Sequence, residues 1–371
     1  MDLVGMKRLF MDKDFYLPIR WDGKNFKSTI EILFKKYKRQ LALYKKYISI
    51  LTYSSVVQIC DVIIDIITDY LAGFPAQAYE KFQSLMKEKY YDSLNTYDKI
   101  FEARNNLKLD LYRIVSVEDN VPYERKRIFH TPYNMRSKIG TNRYSIAGYP
   151  SLYLATSLEL CKEELHVNPY EKYSLAGRFE IDYNSNVQIK VIEFGVKPQD
   201  IVAYYYSREM YGDEVLNENS IVDFKDSLRF ELLKGSNIFT NQPFFEQYII
   251  WYPLIATCSY IRCNKKDPFA VEYIIPQMLL QWIRMKNRDM KNENYNELIG
   301  IRYFSCASML ASEKGFNYVF PTAGREGNNY YCSLLKKCFK LTNPVYINDF
   351  ETLSKCENYL QKDKNIDHIK T

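Results

Sequence analysis

The chain has 371 residues, 47% hydrophobic and 26% charged, with 13 glycines and 13 prolines, a composition that excludes a disordered or fibrous protein. Fifty-one Lys and Arg against forty-five Asp and Glu give a net charge of +6, which suits a small anionic ligand and falls far short of a nucleic-acid binder's concentrated basic face. The eight cysteines form no C-x-x-C pair and there are three histidines, so zinc spacing is absent, reduced thiols are expected, and no metal is called for.

The opening "MDLVGMKRLFMDKDFYLPIRWDG" carries Asp2, Asp12 and Asp14 and has no apolar core, so it does not read as a signal peptide. Residues 27–105 read as helical. "KSTIEILFKKYKRQLALYKKYISIL" spaces apolar residues by three and four, with Lys and Arg on the other face. Within it "KKYKRQ" (35–40) is read as a solvated helix face, not a nucleic-acid patch. "SSVVQICDVIIDIITDYLAGF" is the most membrane-like run, yet Asp61, Asp65 and Asp69 fall on one stripe. That stripe indicates an amphipathic helix and no lipid-facing span, so a cytoplasmic protein without a membrane partner is expected. Gly73-Phe74-Pro75 ends this helix, and "QAYEKFQSLMKEKYYDSLN" resumes the period.

From about Leu109 the pattern turns to short β-like runs: "LDLYRIVS", "GYPSLYLAT", "YSLAGRFEIDY", "VQIKVIEFGV", then "IGIRYFSCAS" and "FNYVFPT". Helices intervene at "SLELCKEEL" and "IPQMLLQWIRMKNR", and the spacing is too irregular for a doubly wound sheet. The expected class is α+β: a helical domain over 1–106, a mixed domain over 107–325 with an insertion around 200–265, and a C-terminal helical extension and fraying tail over 326–371. No Gly-x-Gly-x-x-Gly or phosphate-binding loop is present, so a Rossmann dehydrogenase or NTPase is not supported.

In "TSLELCKEEL", Thr156 followed by Glu159 reads as a capping box that starts a helix. Leu158, Cys161 and Leu165 then share its buried face. At 100° per residue Glu164 lies on the flank of that face and Glu163 on the opposite side, so Glu164 can reach a site and Glu163 is expected to be a solvated bystander. His130 in "RIFHTP" reads as a packed or surface histidine, and His166 as decoration of a helix end. Cys306 has no histidine near it in sequence to make it a nucleophile.

Arg143-Tyr144, the Gly148-Tyr149-Pro150 turn, Tyr153 on an apolar strand and Glu164 on the next helix follow one another. Upstream, "LYRIV" supplies Arg113; downstream, "YIIPQMLLQWIR", "GIRYFSCAS" with Ser305, and "GFNYVF" complete the series. In this order they resemble the RES-domain family, named for an arginine, a glutamate and a serine, over roughly 109–322. Cys306 departs from a place often held by a second serine. The resemblance implies a fold like that of ADP-ribosyltransferase toxins and an NAD⁺-consuming activity. It implies that Arg143 and Arg113 hold phosphates, Tyr153 stacks on nicotinamide or positions the ribose, Glu164 stabilises an oxocarbenium ion and Ser305 hydrogen-bonds near the ribose. Each of these residues has an ordinary structural reading alone: a surface ion pair, a strand aromatic, a helix-surface carboxylate, a packed hydroxyl. Their chemistry together suits cleavage of the nicotinamide–ribose bond, with arginines for the pyrophosphate and a carboxylate for the developing cation.

The implied biology is a toxin or defence effector that drains NAD⁺, restrained by an antitoxin or a regulatory protein. An ADP-ribosyltransferase acting on a macromolecule, or a non-catalytic nucleotide sensor, are the alternatives. The helical domain resembles the HEPN-like modules that precede some RES domains. An active ribonuclease of that kind needs an arginine followed closely by a histidine, and the first histidine here is His130. A role in interaction or homo-oligomerisation is therefore expected of the N-terminal helices.

Overall fold

The computed structural model describes residues 8–87, 94–97, 109–165, 170, 173–182, 189–211, 238, 241–289, 297–322 and 330–369. The chain divides into two units, each assembled from two segments: 1–95 with 193–278, and 96–192 with 279–371. His166 lies outside the described residues.

The first unit is built on helices α1 (Phe26–Leu43), α2 (Ile50–Leu71) and α3 (Pro75–Met86). Asn25 caps α1 by accepting from the Ser28 amide, and Ser49 caps α2 by accepting from the Thr52 amide; each satisfies an amide the helix itself leaves open. By length and composition α2 could cross a bilayer. Its Asp61 and Asp65 are exposed, Asp61 pairs with Lys38 at 2.8 Å and Asp69 with Lys81 at 2.6 Å. The apolar residues of the opposite stripe, from Val56 through Ile59 and Ile63 to Ile67, are fully buried.

In the "KKYKRQ" run, Lys36 pairs with Asp12 and Asp14, Lys38 with Asp61, and Tyr37 points inward.

Residues 193–278 complete this unit, so the segment expected as an insertion in the mixed domain belongs with the N-terminal helices. The reason is an aromatic core that the N-terminal helices cannot close alone. Phe10, Phe15 and Tyr37 pack edge-on or tilted against Phe245, Tyr248 and Tyr252 of a later helix, at centroid distances of 4.5 to 6.2 Å. The three tyrosine hydroxyls of this cluster each find a carbonyl: Tyr37 donates to Ile249, Tyr248 to Val196 and Tyr252 to Phe15, at 2.9 to 3.0 Å. Such satisfied hydroxyls fix one packing among the many that apolar contact alone would allow. Gln199 binds both backbone groups of Leu17, tying the two segments a second time.

Among the described residues, the second unit holds a sheet of ten strands: β1 (Thr96–Tyr97), β2 (Leu111–Ser116), β3 (Ser151–Ala155), β4 (Ser174–Ile181), β5 (Ile189–Phe194), β6 (Glu297–Tyr303), β7 (Asn317–Pro321), β8 (Phe339–Thr342), β9 (Val345–Tyr346) and β10 (Ile366–Asp367). Their order is β1-β5-β6-β7-β3-β2-β4-β8-β10, with β9 beside β4. The pairings with described registers are antiparallel.

Continuing the helix count, α4 (Leu158–Leu165) comes after β3. Next are α5 (Pro198–Tyr211), α6 (Gln242–Thr257), α7 (Ile274–Asp289), α8 (Ser333–Cys338) and α9 (Leu353–Lys362). All six strands read from the sequence form, and the class is mixed helix and strand with the helices first.

The C-terminal region departs from expectation. Three of the ten strands come from 339–367, and the supposed fraying tail is the sheet's edge strand. Asn365 accepts two bonds from Arg125, and His368 contacts Asp182 at 2.9 Å.

A core cluster of Tyr112, Ile114, Ala155, Leu158, Cys161, Leu353, Cys356 and Leu360 binds α4 and α9 to one face of the sheet. The start of α4 also differs from expectation: Ser157, not Thr156, caps it by accepting from the Leu160 amide at 3.2 Å. Thr156 is turned to the neighbouring chain segment instead. Its Oγ1 accepts from the Phe316 amide at 3.0 Å while its own amide donates to the Phe316 carbonyl at 3.0 Å.

Gly315 makes this contact possible. It has φ +132, and a Cβ there would lie 2.2 Å from Thr156 Oγ1. Gly315→Ala is expected to cost about 1–3 kcal/mol through backbone strain alone, with more from the clash, read as a lowered urea midpoint at unchanged m-value.

Candidate functional site

The site is set by register. Asn317 at the start of β7 lies opposite Ala155 of β3 on one side and Tyr303 of β6 on the other. Val319 likewise lies between Tyr153 and Ile301. Directly opposed residues share a face and alternate residues return to it, so Tyr153, Tyr303 and Asn317 stand on the same side as α4.

Glu164, in the last turn of α4, reaches down to that face. Its Oε1 accepts from Ser305 Oγ at 2.6 Å and from Asn317 Nδ2 at 2.5 Å. Ser305 lies just beyond β6, and its hydroxyl accepts from the Ala307 amide at 3.1 Å, a local turn that aims the O–H at the glutamate. Both donors are buried, whereas Glu164 is exposed. Hydrogen bonds to a charged acceptor contribute about 1.5–3 kcal/mol each. Oε1 is therefore held in place. Among the described residues no side chain or amide donates to Oε2, which is left for a ligand or water.

Tyr303 sits under this carboxylate and is buried, its ring 4.8 Å from that of Tyr144. Burial pushes its hydroxyl well above the ordinary tyrosine range. The negative ends of Glu164, Tyr153 and Tyr144 push the same way, and only Arg143 opposes them. Those contributions locate Arg143, Tyr153 and Glu164 around one buried hydroxyl. The Tyr153 hydroxyl is 2.7 Å from Ser145 Oγ, and Ser145 donates to Ser151 at 2.9 Å, so the segment carrying Arg143 is fastened to β3. Gly148, at φ +80, turns this segment into the strand, and its amide bonds Ile139 O at 3.0 Å.

Arg113 stands apart in its bonding. It pairs with Gly177 of β4, and its Nη1 donates to the Phe129 carbonyl at 2.8 Å. Desolvation lowers its pKa to about 10, so it stays charged at neutral pH. Its charge still registers at Tyr153, but part of its fork is used on backbone.

Glu163 is a correction to the expectation of a solvated bystander: it is half-buried and pairs with Lys314 at 2.6 Å. Glu164 reaches Ser305 and Asn317 from the flank of the helix, but the loop before β7 supplies Glu163 with a cation. The Cys306 thiol is buried and donates to the Phe304 carbonyl.

Asn317 is a site residue that the sequence pattern does not single out, while Tyr144 and Tyr303 stand within its motifs without an assigned role. The one signal for Asn317 is a polar residue opening the otherwise apolar run "NYVF". Among the described residues no group of three or more His, Cys, Asp and Glu side chains is placed to hold a metal.

His130 is fully buried, and its roles are fixed: Nδ1–H donates to the Thr131 carbonyl at 2.8 Å and Nε2 accepts from the Cys332 amide at 2.9 Å. Burial pulls its pKa down to about 4, despite the Thr131 carbonyl.

Comparison with known proteins gives one informative relative. Over 299 residues the chain is 27% identical to the protein named "Putative toxin YopC" from Bacillus subtilis (strain 168), an alignment covering 76% of this chain. The alignment takes in 57% of that relative, so the chain matches little more than half of its length. No family model matches the chain. No solved structure matches it either.

His130 also makes stability depend on pH. The unfolded histidine protonates near its ordinary value of 6.5 and the folded one near 4. The unfolded state therefore binds more protons between those values, and stability falls as pH drops through that window, by about 3 kcal/mol in all. Urea midpoints of wild type should decline from pH 6.5 to 4.5, and the decline should be shallower in His130→Gln.

Proposed function

We propose that the protein cleaves the nicotinamide–ribose bond of NAD⁺ and acts as a toxin by depleting it. The observation that carries this reading is the Glu164 carboxylate, held through Oε1 by Ser305 and Asn317 with Oε2 presented outward. The order of these residues along the chain resembles the RES set, and the relative's name as a toxin is in keeping with it.

Glu164 would face the ribose. As the C1′–N bond breaks, its electron pair leaves with nicotinamide, and positive charge grows on C1′ and the ring oxygen. A carboxylate already fixed in place stabilises that charge without reorganising as it develops. Tyr153 would lie against the nicotinamide or fix the ribose, and Ser305 would act through Glu164 as well as beside the sugar. Arg143 would take a phosphate, with Arg113 adding its field from the next strand. Water, or phosphate acting as acceptor, then captures the sugar cation and loses a proton to solvent.

Nicotinamide release by the purified chain is the direct test. Glu164→Gln keeps the shape and both hydrogen-bonding positions but removes the charge, and should lower turnover by about 10²–10³-fold, as loss of a charge-stabilising group does. Glu163→Gln should stay within about threefold, because its partner is Lys314 and its loss is that of a surface pair. Asn317→Ala should lower kcat more than it raises KM, since it frees Oε1 and leaves the phosphate contacts in place. Wild-type protein that binds NAD⁺ yet releases no nicotinamide would sink the catalytic reading.

A further inference from the structure

The junction of α1 and α2 carries the three most exposed large apolar side chains among the described residues of the first unit. Leu43 closes α1 at 73% exposure, and Ile50 and Leu51 open α2 at 88% and 72%. Between them in the chain stand Lys45 and Lys46, both exposed, with Tyr44, Tyr47 and Tyr53 half-buried alongside. Lys45 lies over the Tyr53 ring at 4.8 Å and Lys46 over the Tyr47 ring at 4.7 Å. The turn is held in shape: the Tyr47 amide donates to the Tyr44 carbonyl at 2.8 Å, Ile48 is buried, and Ser49 caps α2. Its aliphatics are thus displayed by a built turn and do not belong to a frayed end.

The charge around this tip has one sign. From Ile32 to Cys60 the chain contains Lys35, Lys36, Lys38, Arg39, Lys45 and Lys46 and no Asp or Glu. Lys36 and Lys38 are used in ion pairs, whereas Lys35, Arg39, Lys45 and Lys46 are exposed and make none among the described residues. At 100° and 1.5 Å per residue, Lys35, Arg39 and Leu43 share an arc of about 80°, with Arg39 about 6 Å and Lys35 about 12 Å behind Leu43. An aliphatic point is therefore backed by successive cations.

The occupant must cover the aliphatics and answer the lysines together. A second copy of this chain could cover the aliphatics, but it would set two basic tips against each other. A nucleic acid would answer the lysines and leave the aliphatics in water. An anionic bilayer does both. The aliphatic side chains enter the acyl boundary, the lysine stems follow them while the ammonium groups stay among the headgroups, and tyrosine rings suit that interface. We propose that the α1–α2 tip docks peripherally on an anionic lipid surface. Insertion is confined to the tip: Asp61, the first carboxylate of α2, lies about 16 Å along the helix from Ile50, so α2 keeps its place in the protein core. The proposal rests on the first unit and does not depend on which bond the protein breaks.

The test is co-sedimentation of the full chain with vesicles of phosphatidylcholine alone and of phosphatidylcholine with one third phosphatidylserine. It would use wild type, Ile50→Gln/Leu51→Gln, Lys45→Gln/Lys46→Gln and, as a control, Phe74→Gln, an exposed apolar residue at the opposite end of α2. Wild type and the control should bind the mixed vesicles at least tenfold more tightly than the neutral ones, and salt at about 1 M should remove the difference. Each double variant should bind the mixed vesicles at least tenfold more weakly, since a lysine near an anionic surface contributes roughly fivefold. If Ile50→Gln/Leu51→Gln loses its cooperative melt, Leu43→Gln decides by the same readout. No binding by wild type at millimolar lipid, or wild-type binding in either folded double variant, overturns the proposal. So does a loss in Phe74→Gln as large as that in the tip variants. Sedimentation velocity without vesicles covers the second copy: a dimer that Ile50→Gln/Leu51→Gln dissociates would assign the tip to self-association and overturn the lipid reading.

Discussion

The reciprocal hydrogen bonds between Thr156 and Phe316 are the constraint on which the site rests. They fix where β3 gives way to α4, and they do so against the residue that immediately precedes β7. Because an α-helix rises 1.5 Å per residue, fixing its start fixes the height of Glu164, two turns on, above Asn317. Gly315 permits the close approach, and the Ser157 cap together with Glu357, which accepts from the Leu158 amide at 2.7 Å, closes the first turn. A shift of one residue at this junction would swing Glu164 by 100° around the helix and empty the space above Ser305 and Asn317.

Around that carboxylate the protein separates its polar groups by task. Buried donors on β7 and after β6 orient the glutamate. Buried tyrosines, Tyr303 and Tyr144, form the apolar floor, and burial holds the Tyr303 hydroxyl protonated. Arg143 stands half-buried at the margin, where its charge is felt at Tyr303, and the desolvated Arg113 spends part of its fork on the Phe129 carbonyl. On the proposed reading, negative charge is fixed where the sugar cation would develop, and positive charge stands where the phosphates attached to that sugar would lie.

Much of this can be read from the chain. Alternating apolar runs mark all six long strands, and helical geometry puts Glu164 on the flank of the buried face. The ion pair of Glu163 is hidden, because Lys314 lies some 150 positions away and no local pattern announces it. Thr156 and Ser157 are adjacent hydroxyls before the same helix, and only the neighbouring strand decides which of them caps it. Asn317 becomes visible through register, which no single strand encodes. The division into units is concealed for a similar reason. The aromatic residues of 245–252 look like any buried helix until Phe10, Phe15 and Tyr37 are seen to need them, and "FKLT" after "SLLKKC" is too short to separate from a helix end by periodicity.

The interleaving of the two units bears on how the chain comes to be folded. A domain made of one continuous stretch is able to fold as it leaves the ribosome, before later residues are added. Here the first unit waits for α6 and the second for β8 and β10, so neither is complete until most of the chain exists, and both close through contacts of high sequence separation, which form slowly. The sheet that supports Glu164 gains its last strand from residues 366–367. The platform under that carboxylate would thus be complete only after residues 366–367 have been added.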